Sequence, residues 1–202
     1  MQQKEEKRQV VVFDFDGTIT HKDSFLQFIA FTRGWPQLCF GMLLNIHWVI
    51  ACYVLRTISN EALKQRIFSY FFRGMRYETF CRYGQSFVSR IETFENRFIV
   101  KKLREAVRDG HTVFVISASI YEWLWPWCQK HGVENVISTR IDVNDDGFIT
   151  GYFSSKNCYG PEKMVKFLLA EPHRTEYFLS VYGDSRGDRE IMAIADEKHW
   201  VS

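Results

Sequence analysis

Charge is missing from one long stretch of this chain, and charge imbalance is missing from the whole. Residues 34–55 hold no Asp, Glu, Lys or Arg. Overall, 26 Lys and Arg face 24 Asp and Glu, a net charge of +2. There is thus no basic excess of the kind that neutralises nucleic-acid phosphates. Paired cysteines are missing too. Cys39, Cys52, Cys81, Cys128 and Cys158 are scattered, odd in number and without a Cys-x-x-Cys spacing. That argues against a zinc site and for reduced thiols in a cytoplasmic setting. No repeat and no low-complexity tract interrupts the chain. Residues 1–9 are charged and lack an apolar run, so they read as a loose tail rather than a signal peptide.

What is present is concentrated at Val10-Val11-Val12-Phe13-Asp14-Phe15-Asp16-Gly17-Thr18. Four apolar residues, three of them β-branched, read as a strand buried on both faces. Asp14 and Asp16 then stand at its C-terminal end, where open parallel sheets place their ligands. Residues two apart in extended chain point the same way, so the two carboxylates can converge. Such a pair suits Mg²⁺ binding, covalent catalysis or both. A surface turn after a core strand is the bland alternative.

Helical spacing follows. Phe25, Phe28 and Ile29 mark a helix within 19–33, with Asp23 or Ser24 as its cap. Ser59 caps a helix that runs to about Arg73. Further helices cover Tyr77–Ile91 and about Asn96–Asp109. Thr112–Ser117 is a second buried strand, followed by a helix from Ile120 to His131. Val136–Ile137 is a short strand. Asn144-Asp145-Asp146-Gly147 reads as a hairpin turn between 140–143 and 148–152. Asp142-Val143-Asn144-Asp145-Asp146-Gly147 also opens like a calcium loop, but Phe153 stands where that loop needs Glu. Pro161 opens a helix, Tyr177–Tyr182 is a strand, Asp188 caps a helix to about Ala195, and Trp200-Val201 begins a last strand. Strands alternating with helices imply an α/β fold with a doubly wound parallel sheet. An all-helical insertion follows the first strand.

Asp14-Phe15-Asp16-Gly17-Thr18 resembles the first motif, Asp-x-Asp-Gly-Thr, of the haloacid dehalogenase superfamily of phosphohydrolases. Ser117 matches the second, Lys163 the third, and Gly183-Asp184-Ser185-Arg186-Gly187-Asp188 the fourth, Gly-Asp-x-x-x-Asp. Gly187 stands where related phosphatases often carry Asn. The resemblance implies a core over 1–19 and 101–202 with a helical cap of the C1 type over 20–100. It also implies a Mg²⁺-dependent phosphomonoesterase. In it Asp14 is the nucleophile and Asp16 the acid and base; Asp14, the Asp16 carbonyl and Asp184 hold the metal. Ser117, Ala118 and Lys163 receive the phosphate, and Asp188 orients the metal site.

Two branches of subfamily IB compete for the substrate. Motif order and cap position resemble phosphoserine phosphatase, where Arg66 and Asp23 would read the amino acid. The apolar insertion and Cys158-Tyr159-Gly160-Pro161-Glu162-Lys163 resemble a branch that includes a bacterial phosphatidylglycerophosphate phosphatase. The substrate is therefore a small phosphorylated metabolite or a lipid head group. Residues 34–55 are an ordinary apolar cap helix, an element at the cytoplasmic membrane surface, or a span. A span would place Asp14 and the later motifs on opposite sides of the membrane. Gly34, Gln37, Gly41 and Asn45 form a small or polar stripe along this stretch. Two other readings remain. Gly183-Asp184-Ser185-Arg186-Gly187 fits a serine nucleophile elbow, although only Asp196 and His199 follow it. An inactive binding module on this fold is the second, against which the complete motif set argues.

Overall fold

A computed structural model describes residues 7–201; of the expected tail, residues 1–6 lie outside it. The rest of that tail is not loose. Strand β1 (Arg8–Phe13) already includes Arg8 and Gln9, and Arg8 pairs with Glu171 at 2.5 Å. The other sheet strands are β2 (Thr112–Ile120), β3 (Asn135–Thr139), β6 (Tyr177–Gly183) and β7 (Glu197–Trp200), with a separate hairpin β4 (Ile141–Val143) and β5 (Ile149–Phe153). The sheet is parallel in the order β3-β2-β1-β6-β7. The chain winds outward from β1 in one direction and then in the other. The C-terminal end of β1 is thus the point where the order reverses, and a crevice opens there. Strand β7 ends at Trp200 rather than beginning there. Its polar run Glu197-Lys198-His199 suits an exposed edge and hides the strand from a hydrophobic pattern.

Both sheet faces are covered, as the unbroken apolar run of β1 requires. Val10 and Val12 face α8 (Pro161–Ala170) and α9 (Arg189–Ala193), against Phe167, Ile191 and Met192. Val11 and Phe13 share a cluster with the helices between β1 and β2. Those are α1 (Ser24–Arg33), α2 (Trp35–Leu44), α3 (Ile46–Tyr53), α4 (Asn60–Phe72), α5 (Tyr77–Ile91) and α6 (Arg97–Arg108). Helix α7 (Tyr121–Lys130) joins them. Phe28 stands at the centre, stacked on Trp123 at 4.4 Å and edge-on to Phe80 and Phe87 at 5.1 and 5.2 Å. Here lies much of the chain's aromatic content, in contacts that add to simple burial. The hairpin is tied to the inserted helices through the backbone. Gly74 N–H donates to Ile149 O at 2.8 Å, and Ile149 N–H to Met75 O at 2.9 Å.

Residues 34–55 are two helices, not one. Asn45 divides them: its side-chain amide donates to Gly41 O at 2.8 Å and it is buried. Among the described residues no helix is long and apolar enough to cross a membrane. Of the small and polar stripe, Gly41 and Asn45 face inward, whereas Gln37 is exposed. A Cβ on Gly41 would lie 2.3 Å from the Phe71 ring, so α2 rests on α4 through its glycine. Leu38 packs into the core, with Met42, Trp48 and Val49 half-buried against it, while Trp35, Phe40, Leu43, Leu44, Ile46 and Ile50 are exposed.

Candidate active site

Asp14 follows the last residue of β1 and is fixed by its N–H, which donates to Tyr182 O on β6 at 2.9 Å. Its Oδ1 accepts from Lys163 Nζ at 2.7 Å, and the same ammonium reaches Asp188 Oδ1 at 2.6 Å. Lys163 comes from the first turn of α8, which Pro161 and Gly160 start. All three groups are buried. Burial alone would discharge the Lys163 ammonium, but the charges of Asp14 and Asp188 outweigh it and raise its pKa. Asp14 is pushed up by burial, against the pull of Lys163, with Asp188 adding to the rise.

Asp188 does not cap α9. Its Oδ2 instead receives the Asp184 and Ser185 N–H groups at 3.2 and 3.1 Å and the Ser185 hydroxyl at 3.2 Å. A carboxylate so fully engaged positions the Gly183–Asp184 turn. Asp184 is the exposed member of the cluster, and one carboxylate oxygen from each of Asp14, Asp184 and Asp188 lies within 4.8 Å of the others. Gly17, with φ near +85°, packs so closely that a Cβ would sit 2.2 Å from Asp184 Oδ2. That approach, more than the turn itself, requires glycine.

Asp16 occupies a different environment. Its Oδ1 accepts the Ser24 N–H at the start of α1 at 2.8 Å, and its Oδ2 accepts the Ser119 hydroxyl. The Ser119 and Ser24 hydroxyls are 2.7 Å apart, and Trp123 Nε1 donates to Ser24 Oγ at 3.2 Å. Burial, with Asp23 nearby, raises the Asp16 pKa to about 6, against the pull of the Ser119 and Ser24 hydrogen bonds. Two carboxylates of one motif are thus separated by their partners: one tied to an ammonium, the other to hydroxyl and amide donors.

The register Phe13↔Val115 carries Ser117 and Ala118 to the same sheet end. Ser117 is buried and its Oγ accepts the Ser119 N–H at 3.0 Å. Ala118 O accepts from Thr139 Oγ1 at 2.9 Å and from Lys64 Nζ at 2.5 Å. Beside Asp16 lies a cavity of about 320 Å³, lined by Asp23, Lys64 and Ala118 at one part and by Phe25, Met42, Val49, Leu63 and Ile67 at another.

A family model for haloacid dehalogenase-like hydrolases matches residues 11–193. The chain belongs to that family. The hydrolase is 33% identical to Protein CicA of Caulobacter vibrioides over 202 aligned residues, covering 94% of this chain and 84% of that protein. A protein of unknown function from Bordetella pertussis Tohama I superposes with a TM-score of 0.79 at 17% identity, over 95% of this chain and 89% of that one. A phosphoserine phosphatase in a phospho-aspartyl intermediate analogue superposes at 0.64 with 19% identity, over 96% and 86%.

The fold brings Asp14, Asp16, Ser117, Ala118, Lys163, Asp184 and Asp188 to one end of the hydrolase sheet, and Asp23 to the adjacent cavity. It does not bring Arg66 there. Arg66 is exposed and lies over the Trp48 ring at 5.1 Å. Two residues earlier on α4, Lys64 takes the inward direction, over the Phe25 ring at 5.3 Å. Burial lowers its pKa, opposed by Asp16 and Asp23. Leu63 and Ile67 set the inward face of α4, and Lys64 flanks them, which was the available signal; Arg66 came from the family resemblance instead. Ser119 and Ser24 were also missed as partners of Asp16. The serine elbow lacks its base: Ser185 Oγ donates to Asp188 and accepts the Gly187 N–H, while His199 stacks on Tyr182 at 4.1 Å. Asn144 Oδ1 accepts the Phe148 N–H at 2.8 Å within the β4–β5 turn, so that segment is a hairpin rather than a calcium loop.

Proposed function

We propose that this hydrolase is a phosphomonoesterase that works through an aspartyl-phosphate on Asp14 and requires Mg²⁺. The supporting observation is the division between Asp14, paired with Lys163 at 2.7 Å, and Asp16, whose raised pKa of about 6 suits proton transfer near neutrality.

The donor set fits a hard divalent cation. Asp14, Asp184 and Asp188 each bring a carboxylate oxygen within 4.8 Å of the others, and oxygen donors are what such an ion takes. Asp14, Asp184 and the Asp16 carbonyl would hold Mg²⁺, which when bound supplies neutralisation for the phosphoryl oxygens. In the first step an Asp14 oxygen forms a bond to phosphorus, the ester P–O bond breaks, and Asp16 gives its proton to the leaving alkoxide. In the second, water bonds to phosphorus, Asp16 takes its proton, and the Asp14–phosphorus bond breaks. Lys163, the Ser117 hydroxyl and backbone N–H groups around Phe15 and Ala118 receive phosphoryl charge. Asp188 keeps Lys163 and the Asp184 turn in place.

The apolar wall of the adjacent cavity supports a phosphate ester whose alcohol carries an apolar portion, with its polar end toward Lys64. A phosphorylated amino acid is the second reading, favoured by Asp23 and Lys64 lining the same cavity. Phosphate release from phosphatidylglycerophosphate in mixed micelles and from phosphoserine, each with and without Mg²⁺, separates the two. Release of neither, or release that survives Asp14→Asn, contradicts the proposal.

A further inference from the structure

The α2–α3 pair buries Leu38 but turns most of its large apolar side chains outward. Its small and polar positions, Gly41 and Asn45, are buried, whereas Phe40 is 59% exposed, Leu43 65% and Val54 71%. Contiguous exposed apolar surface of this kind marks an interaction site. No charge breaks it between 34 and 55. Arginines surround it. Arg33 and Arg73 line a groove with Pro36 and Phe40 of α2, Arg56 follows Leu55 directly, and Arg66 stands over Trp48 of α3. Beneath the pair, Met42, Val49 and Tyr53 form the outer wall of the cavity that reaches Lys64 and Ala118 beside Asp16.

We infer that the α2–α3 face docks on an anionic lipid bilayer, with the helices lying in the interface rather than crossing it. An apolar face rimmed by cations is complementary to acyl chains beneath anionic head groups. A second copy of the chain is the rival occupant, but a two-fold pairing of this face would bring the arginine rims together, where like charges oppose it. The short helices, divided at Asn45, are consistent with an element that enters the interface only. Where the substrate is a lipid phosphate, this orientation sets the cavity against the surface that holds it. That last step rests on the function proposed above; docking itself does not.

The test is cosedimentation of the full chain with vesicles of phosphatidylcholine alone and of phosphatidylcholine with phosphatidylglycerol, for wild type and for Leu43→Glu/Ile50→Glu. Hydrolysis of soluble p-nitrophenyl phosphate and thermal unfolding are followed in parallel, because both substituted side chains are exposed. Binding to the anionic vesicles that weakens with salt, and that falls about tenfold or more in the variant, is the expected result, with soluble turnover and unfolding unchanged. Absence of vesicle binding by the wild type, or equal binding by the variant, overturns the proposal. So does a dimer in light scattering that the variant abolishes. Loss of p-nitrophenyl phosphate turnover in the wild type would count against the proposed reaction and leave the docking result standing.

Discussion

Lys163 joins two buried carboxylates, and its removal would strand both. Burying a charge is tolerable only when it is paired, and deleting one partner of a buried pair typically costs about 3–5 kcal/mol. Lys163→Met is therefore expected to lower unfolding stability by about 3 kcal/mol in metal-free urea denaturation; an unchanged midpoint would contradict the pairing described. Ser119 poses a subtler question. Its hydroxyl stabilises ionised Asp16, so Ser119→Ala is expected to raise the Asp16 pKa above about 6. The acid role proposed for Asp16 requires its protonated form, so the alkaline limb of kcat/KM with a small soluble substrate should move to higher pH. A limb that stays or moves down would remove Asp16 from that role. The placement of Asp14, Asp16, Lys163 and Asp184 at one end of the sheet was legible in the sequence because each falls just after a strand or in the first turn of a helix. Lys64 and Ser119 were not: the resemblance pointed to Arg66 in place of Lys64, and the meeting of β2 with α1 that pairs Ser119 with Asp16 is not specified by residue order.

At the scale of elements, packing overrides local preference at Gly84. This residue lies inside α5, where replacing glycine by alanine ordinarily favours the helix by about 0.5–1 kcal/mol. Here a Cβ would lie 2.2 Å from the backbone carbonyl oxygen of Glu122 on α7, which cannot turn aside. Gly84→Ala is therefore expected to lower the melting temperature, by about 1–3 kcal/mol of stability; a rise would show that α5 and α7 are not in such close contact. The same contrast explains what the sequence hid in α2 and α3. Hydrophobic periodicity assumes that apolar residues face inward, and this pair carries apolar residues on both its inward and its outward side. The ends of α4, α5 and α6 were legible because Ser59 and Asn96 cap their helices with side-chain hydrogen bonds and Ile91 ends an apolar stripe. The docking of the β4–β5 hairpin on the inserted helices was not, since it pairs residues far apart in the chain.

For the whole molecule, the acidic cluster makes stability depend on pH in a direction opposite to the common carboxylate case. Asp14, Asp16 and Asp184 all have raised pKa values in the folded chain. Each contributes stability that is present below its unfolded pKa and lost as pH rises through the folded one. The metal-free protein should accordingly lose stability between about pH 4 and pH 8. The Mg²⁺ site proposed above would need the ionised carboxylates, so stabilisation by added Mg²⁺ should grow over the same range. Melting curves with and without Mg²⁺ at about pH 5 and about pH 8 check this; an equal shift at both would contradict it. The parallel sheet itself was legible from β1 and β2, whose apolar runs allow no solvent face, and the site follows from where the strand order reverses.

A covalent phosphoryl group on Asp14 is tested most directly by rapid-quench labelling. Wild-type protein mixed with Mg²⁺ and a ³²P-labelled phosphate monoester that it hydrolyses, then quenched in acid, should carry label that hydroxylamine removes, as it does from an acyl phosphate, and Asp14→Asn should carry none. Turnover without labelled protein at any quench time, or label retained by Asp14→Asn, would contradict the account.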